Sequence, residues 1–410
     1  MLLLAAALQL AAPRPLFAPD PAASGFGRSI AVLSDLDGDG VPEIAVGAPD
    51  ATVEATRQGV VLVLSGATRE VLQRWTTEPV RASFGRTLKS AGDTNGDGTV
   101  DVLVGFQLWA ACEVRSGLDG SLLRRFDRRA SEVVAFGDYD QDGADDLLLA
   151  REIRSGRDGG LLRGCPHLLG VGRFDPLGDF DGDGLTDGLF VGEQTRILVS
   201  GAGEEERGPD APLFEPGHRP IAEDRWSSIL EARGLTIEAA FPAGDLDGNG
   251  RPDVLVTGPS KLGRGIVGLS LFVRTLPLVA LDRSPLHDGR PAEFDFSLLG
   301  GIDLDEDGRA DVVLAGPTGL FSPVAATAFS SKDGEALWSA RWHGSLHGQR
   351  VVLAVFPDAN ADGVDELLAG SSGGVPTEVN GSLRLLSGAT GEELWSVAEV
   401  RYAEHLTPTR

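Results

Sequence analysis

The chain has 410 residues, 42% of them hydrophobic, and a formal net charge of −25 from 61 acidic and 36 basic side chains; this balance argues against nucleic acid as a partner, because phosphate binding rests on Lys and Arg that displace counterions. Gly 55 and Pro 24 against a single Met indicate many turns and short strands, so an all-β fold is expected. After the first residues no segment reaches 18 uninterrupted apolar residues, which argues against a helical membrane protein.

Residues 1–22, opening "MLLLAAALQLAAPRPLF", begin with an apolar run of about a dozen residues, too short to span a bilayer and followed by Pro and small residues, and are expected to be a signal peptide and linker. From there on, one motif recurs seven times. The copies are "DLDGDGVPE" from Asp35, "DTNGDGTVD" from Asp93, "DYDQDGADD" from Asp138, "DFDGDGLTD" from Asp179, "DLDGNGRPD" from Asp245, "DLDEDGRAD" from Asp303 and "DANADGVDE" from Asp358, with starts 41 to 66 residues apart. Each is followed by a short apolar stretch stopped by Gly or Pro, such as "IAVGAP" or "VLVTGP", and preceded by another, such as "FGRSIAVLS"; the acidic loop therefore joins two strands. Further along several units a strand enters a Ser-Gly-x-x-Gly type of turn and returns, as in "EVRSGLDGSLLRRF" (113–126), "EIRSGRDGGLLRG" (152–164) and "LRLLSGATGEELWSV" (383–397), which reads as a hairpin.

Two strands around the acidic loop plus a hairpin make four strands per unit. Seven such units predict a seven-bladed β-propeller of four-stranded antiparallel blades over residues 23–400, with 401–410 as a C-terminal tail. Long insertions at 201–226 and 260–290 read as loop excursions on which partner recognition could be built.

In D-x-D-x-D-G-x-x-D/E, side-chain oxygens at positions 1, 3, 5 and 9 and the carbonyl of position 7 can converge on one point, and Gly at position 6 permits the turn that folds them inward. A hard cation taking 6 to 8 oxygens fits this donor set, so calcium, up to seven ions, is the expected cofactor. The candidate ligands are Asp35, Asp37, Asp39, Val41 and Glu43 in the first loop; Asp93, Asn95, Asp97, Thr99 and Asp101 in the second; and Asp138, Asp140, Asp142, Ala144 and Asp146 in the third. They continue with Asp179, Asp181, Asp183, Leu185 and Asp187; Asp245, Asp247, Asn249, Arg251 and Asp253; Asp303, Asp305, Asp307, Arg309 and Asp311; and Asp358, Asn360, Asp362, Val364 and Glu366. Position 7 varies from Val to Arg, as a backbone-only donor can, whereas positions 3 and 5 are always Asp or Asn. An EF-hand is set aside because position 12, where it needs a bidentate Glu, is apolar in all seven copies. An Asp/Gly-rich turn held by Asx hydrogen bonds without metal is the alternative for any single loop. Filling all seven sites would bring the formal charge from −25 to about −11.

These residues resemble FG-GAP repeats, as in the propeller of integrin alpha subunits and many secreted bacterial proteins. The matching pieces are "FGRSIAVLSDLDGDGVPEIAVGAP" (26–49) and "FGRTLKSAGDTNGDGTVDVLVG" (84–105), with "VGAP", "TGPS" and "AGPT" corresponding to the GAP element; the likeness extends over about 26–397. Later units lose the FG pair, Ser34 stands where a Gly usually precedes the first loop, and GAP becomes "LLLA" or "FVGE" in units 3 and 4. The resemblance implies a secreted, periplasmic or cell-surface protein that binds an extracellular protein or glycan and has no single reaction to catalyse. No integrin-like leg, transmembrane helix or cytoplasmic tail is recognised, so an integrin receptor itself is not expected.

Two other readings stand beside adhesion: a propeller-fold enzyme such as a calcium-dependent polysaccharide lyase or hydrolase, and a purely structural shell protein. "SGATGEELW" (387–395) looks like the Trp-containing turn of quinoprotein propellers, yet Trp75, Trp338 and Trp395 are more simply packing residues that lock neighbouring blades. His343 and His347 in "WHGSLHG" read as a surface loop, and no nucleophile-elbow Ser motif is present. Cys112 and Cys165 are too few for a disulfide scaffold; one bridge or two separate buried thiols are the options.

Overall fold

The computed structural model describes residues 14–15, 25–53, 56–77, 83–106, 111–149, 152–164, 172–179, 184–192, 196–199, 239–246, 248, 253–260, 263–269, 297–317, 323–342, 350–372 and 379–400. Among these the protein is all-β, with one 3-10 turn at Ala130–Glu132 and no α-helix. No helix among the described residues is long and apolar enough to cross a membrane.

The strands form successive antiparallel meanders. The first sheet is Ser29–Val32, Ile44–Ala48, Val60–Leu64 and Val71–Trp75; the second Thr87–Gly92, Asp101–Gly105, Cys112–Arg115 and Leu122–Phe126; the third Val133–Gly137, Asp146–Leu149, Glu152–Arg154 and Leu161–Gly164. The fourth (Gly172–Gly178, Asp187–Gly192, Arg196–Val199) and fifth (Ala239–Gly244, Asp253–Ser260, Gly263–Leu269) have three strands each among the described residues. The sixth is Ser297–Ile302, Asp311–Pro317, Val324–Phe329 and Ala336–Trp342, and the seventh Arg350–Phe356, Glu366–Ser372, Val379–Leu386 and Glu393–Val400, with Arg14–Pro15 added in parallel to its last strand. Four-stranded sheets of this kind are what propeller blades are made of.

One expectation needs correction. Within the proposed excursion 260–290, Gly263–Leu269 is a strand paired antiparallel to Asp253–Ser260, because "GRGIVGL" extends the ladder of the preceding strand from the Ser260–Gly263 pair onward. The rest of that stretch beyond Leu269, the whole of 201–226, Cys165, His343, His347 and most of 1–22 lie outside the described residues.

Apolar side chains gather in the seams between consecutive sheets. The second and third strands are deeply buried: Ile44–Ala48, Asp101–Gly105, Glu366–Ser372, Val60–Leu64 and Val324–Phe329 are buried at every residue, as their largely apolar sequences imply. Val61, Val63 and Trp75 of the first sheet pack with Leu88, Val102 and Val104 of the second. Leu103 and Val114 of the second pack with Val133 and Leu147 of the third. Val313 and Ala326 of the sixth pack with Leu367 and Ala369 of the seventh, and Ile30, Val46 and Leu62 of the first pack with Leu368 and Leu385 of the seventh.

The FG and GAP elements meet in these seams. Phe84 is wholly buried, Gly85 has φ +80°, and the Gly85 carbonyl oxygen accepts a 2.8 Å hydrogen bond from Ser29 Oγ. A methyl group on Gly47, the glycine of "VGAP", would lie 2.0 Å from that same oxygen, so only glycine lets the two backbones approach. Phe26-Gly27 repeats the arrangement against the seventh sheet: a Cβ on Gly370 would meet Gly27 O at 2.7 Å, and one on Gly381 would meet Phe26 O at 1.8 Å.

Candidate metal-binding loops

Each acidic loop connects the first and second strands of its sheet, and its local conformation is dictated by its own side chains. The position 1 aspartate accepts the N–H of the position 6 glycine: Gly40 to Asp35 (2.9 Å), Gly98 to Asp93 (2.7 Å), Gly143 to Asp138 (2.9 Å), Gly184 to Asp179 (2.8 Å), Gly308 to Asp303 (2.8 Å) and Gly363 to Asp358 (3.0 Å). Each bond closes the loop over five residues, with the position 6 glycine at φ +84° to +94° in all six. In the five loops whose positions 3 and 5 are described, each of these residues accepts a main-chain N–H two residues on, an Asx turn, as Asp39 to Asp37 (3.2 Å) and Val41 to Asp39 (2.9 Å) in the first loop.

Position 9 behaves differently. Glu43, Asp101, Asp146, Asp187 and Glu366 are wholly buried, and Asp253 and Asp311 nearly so. In six of the loops this carboxylate accepts the N–H of position 2: Leu36 (2.5 Å), Thr94 (2.9 Å), Tyr139 (2.8 Å), Leu246 (2.9 Å), Leu304 (2.9 Å) and Ala359 (2.7 Å). In three it also takes an N–H from the hairpin turn of the same sheet: Gly117 to Asp101 (3.2 Å), Gly156 to Asp146 (3.0 Å) and Ser331 to Asp311 (3.0 Å). The last carboxylate is thus both a candidate ligand and a pin between loop and hairpin, a second role that the motif alone did not reveal.

Burial pushes the carboxyls of Glu43, Asp101 and Asp146 above their ordinary range, against the backbone hydrogen bonds that pull the other way. It takes Asp311 to about 6 and Glu366 to about 7, with the charges of Asp303 and Asp305, and of Asp358 and Asp362, adding to the rise. A cation among these groups removes that repulsion.

The structure brings together Asp35, Asp37 and Asp39; Asp138, Asp140 and Asp146; Asp303, Asp305 and Asp311; and Asp358, Asp362 and Glu366, with one oxygen from each residue of a group within 4.8 Å of the others. In the third loop Asp142 is drawn instead to Arg157, whose Nε lies 2.9 Å from its Oδ2, and in the sixth Asp307 pairs with Lys332 at 3.5 Å. In the second loop Asn95 donates its amide to Asp97 (2.8 Å) and the acidic oxygens form no such group. Asp181, Asp183, Asp247, Asn249 and Arg251 lie outside the described residues, while Leu185 is buried at position 7 of the fourth loop. The donor chemistry fits a hard cation best at the first loop: Glu43 Oε1 is buried with no hydrogen-bond partner, while its other oxygen is held by Leu36.

The hairpins share one geometry. Ser65, Ser116, Ser155, Ser330 and Ser387 each accept on their carbonyl the N–H of the residue four on, and that residue, Arg69 or a glycine, has φ between +64° and +77°. These turns receive the tryptophans of neighbouring sheets. Trp338 Nε1 donates to Gly388 O at 2.7 Å, a Cβ on Gly120 would lie 2.1 Å from Trp75 Nε1, and Arg69 sits over the Trp395 ring at 5.9 Å.

The FG-GAP repeat family model matches residues 26–64. The chain is 28% identical to integrin alpha-5 of Xenopus laevis over 248 residues, covering 57% of this chain and 20% of that protein, and 35% identical to integrin alpha-V of Gallus gallus over 150 residues, covering 33% and 14%. It therefore spans no more than about a fifth of the length of these relatives. Among solved structures, the V. cholerae biofilm matrix protein Bap1 aligns with a TM-score of 0.46 at 15% identity, over 92% of this chain and 80% of that one.

Proposed function

We propose, from the premise that this is an FG-GAP repeat, integrin alpha-like protein, that the chain is a secreted, periplasmic or cell-surface binding module: a calcium-stabilised, seven-bladed propeller over residues 23–400 that holds an extracellular protein or glycan and catalyses no reaction. The ring is supported by the equivalence of two seams. Gly370 and Gly381 of the seventh sheet receive Phe26-Gly27 as Gly47 and Gly59 of the first receive Phe84-Gly85, so the last sheet meets the first in the way the first meets the second. Residues 1–22 serve as signal peptide and linker, and 401–410 as a tail.

The observation that carries the metal reading is the wholly buried Glu43, one oxygen of which lacks a hydrogen-bond partner, beside the clustered Asp35, Asp37 and Asp39. These four side chains, with the carbonyl of Val41, would hold the ion in the first loop, and the corresponding five residues would do so in the others. A bound divalent cation supplies charge neutralisation and a fixed geometry for the loop. The chain's own residues do the rest: the position 1 carboxylate shapes the turn, and the position 9 carboxylate transmits its order to the second strand and, in three sheets, to the hairpin.

Isothermal titration with calcium, together with capture of partners from an extracellular fraction in calcium and in chelator, tests this reading. Heat of binding and a calcium-dependent partner are expected; a chain that takes up no calcium overturns the metal part, and turnover of a polysaccharide by the purified protein overturns the binding-module part.

A further inference from the structure

We propose that the third residue of each hairpin turn sets the metal affinity of the acidic loop in the same sheet, a basic side chain there acting as a built-in competitor for the cation. The inference rests on the calcium reading above and deepens it. The turns read Ser65-Gly66-Ala67, Ser116-Gly117-Leu118, Ser155-Gly156-Arg157, Ser330-Ser331-Lys332 and Ser387-Gly388-Ala389. Where the third residue is Arg157, its Nε lies 2.9 Å from Asp142 Oδ2 and its terminal nitrogen donates to the Asp142 carbonyl oxygen at 2.8 Å. Where it is Lys332, Nζ lies 3.5 Å from Asp307 Oδ2. Both aspartates hold position 5 of their loops.

In the other three sheets the third residue is Ala67, Leu118 or Ala389, and among the described residues no Arg or Lys pairs with an acidic side chain of the loop motif itself. The hairpin turn is placed to do this because it lies against the acidic loop: Gly156 and Ser331, each one residue before the basic side chain, donate to Asp146 and Asp311. A monovalent side chain tethered at position 5 takes up one of the ligands a cation needs and repels the ion that approaches it. The loops accordingly fall into two classes: the first, second and seventh have no basic side chain to displace, and the third and sixth bind the divalent ion only by displacing Arg157 or Lys332. The first loop, with the partnerless Glu43 oxygen, is the tightest.

The test exchanges the two turn types in the full chain. Calcium isotherms are recorded for the native protein, Arg157→Leu, Lys332→Ala and Leu118→Arg, with circular dichroism to verify the fold; Leu118 is exposed, so its replacement leaves the core intact. Arg157→Leu and Lys332→Ala are each expected to tighten one site by about tenfold, and Leu118→Arg to weaken one by a similar factor. Folded variants whose isotherms overlay that of a calcium-binding native protein overturn the competitor role and leave the calcium reading standing. A native protein that binds no calcium, and variants that bind none either, overturn both.

Discussion

At Gly47 a methyl group would lie 2.0 Å from the Gly85 carbonyl oxygen and 2.4 Å from Ser29 Oγ, so the residue is glycine for the sake of close approach, whereas Gly40, at φ +88° with open space around it, is glycine for its backbone conformation. Gly47→Ala is expected to cost about 1 to 3 kcal/mol, read as a lower urea midpoint at unchanged slope. Cys112 is wholly buried, and burial pushes its thiol up to about 12. At pH 8 the group is therefore protonated as well as shielded, and iodoacetamide should leave it unmodified in the folded protein and alkylate it once the chain is unfolded in guanidinium. Glu43 carries a buried charge with one oxygen unserved. Glu43→Gln removes the charge at nearly constant shape: in chelator the variant should melt no lower than the native chain, and calcium should raise its midpoint less, which a pair of thermal scans measures.

The acidic loop and the hairpin were legible in the sequence because both are built from interactions a few residues apart. The Asp35 to Gly40 and Asp138 to Gly143 turns, and the left-handed residue that ends each hairpin, follow from local hydrogen bonding and from what glycine permits. Arg69 shows the limit of the pattern: it holds the left-handed position at φ +64° with a side chain that reaches the Trp395 ring, where the other hairpins have glycine. The strand at Gly263–Leu269 falls within a stretch that the sequence presents as a long insertion, and pairing with Asp253–Ser260 identifies it. For the tryptophan latch, Trp338→Phe keeps most of the ring and loses the hydrogen bond to Gly388, so a loss of about 1 kcal/mol is expected; Trp338→Ala, which also empties the seam, should cost about 3 to 5 kcal/mol by denaturant titration.

Over the whole molecule, stability is distributed along the seams between consecutive sheets. Gly381→Ala should destabilise as Gly47→Ala does, because both place a methyl group against a carbonyl oxygen of an FG pair, at 1.8 and 2.0 Å. A Gly381 variant as stable as the native chain would mean that the first and last sheets do not meet in solution. Under the proposed calcium reading, each site filled at free ion a hundred times the dissociation constant would add about 2.7 kcal/mol, so chelator should lower the melting midpoint by many degrees and high calcium should restore it.

What the sequence determined by itself is the repeating unit: seven acidic motifs in one register, the strands that flank them and the hairpins that follow, all of them consequences of short-range chemistry. The tertiary structure decided what each motif residue does. It buried the ninth position and tied it to the hairpin, brought Arg157 and Lys332 onto two of the loops and left three without a counter-charge, and set Phe26-Gly27 against the seventh sheet. Those outcomes depend on which side chains meet across sheets and turns, and a pattern repeated along a chain carries no record of the neighbours that folding will give it.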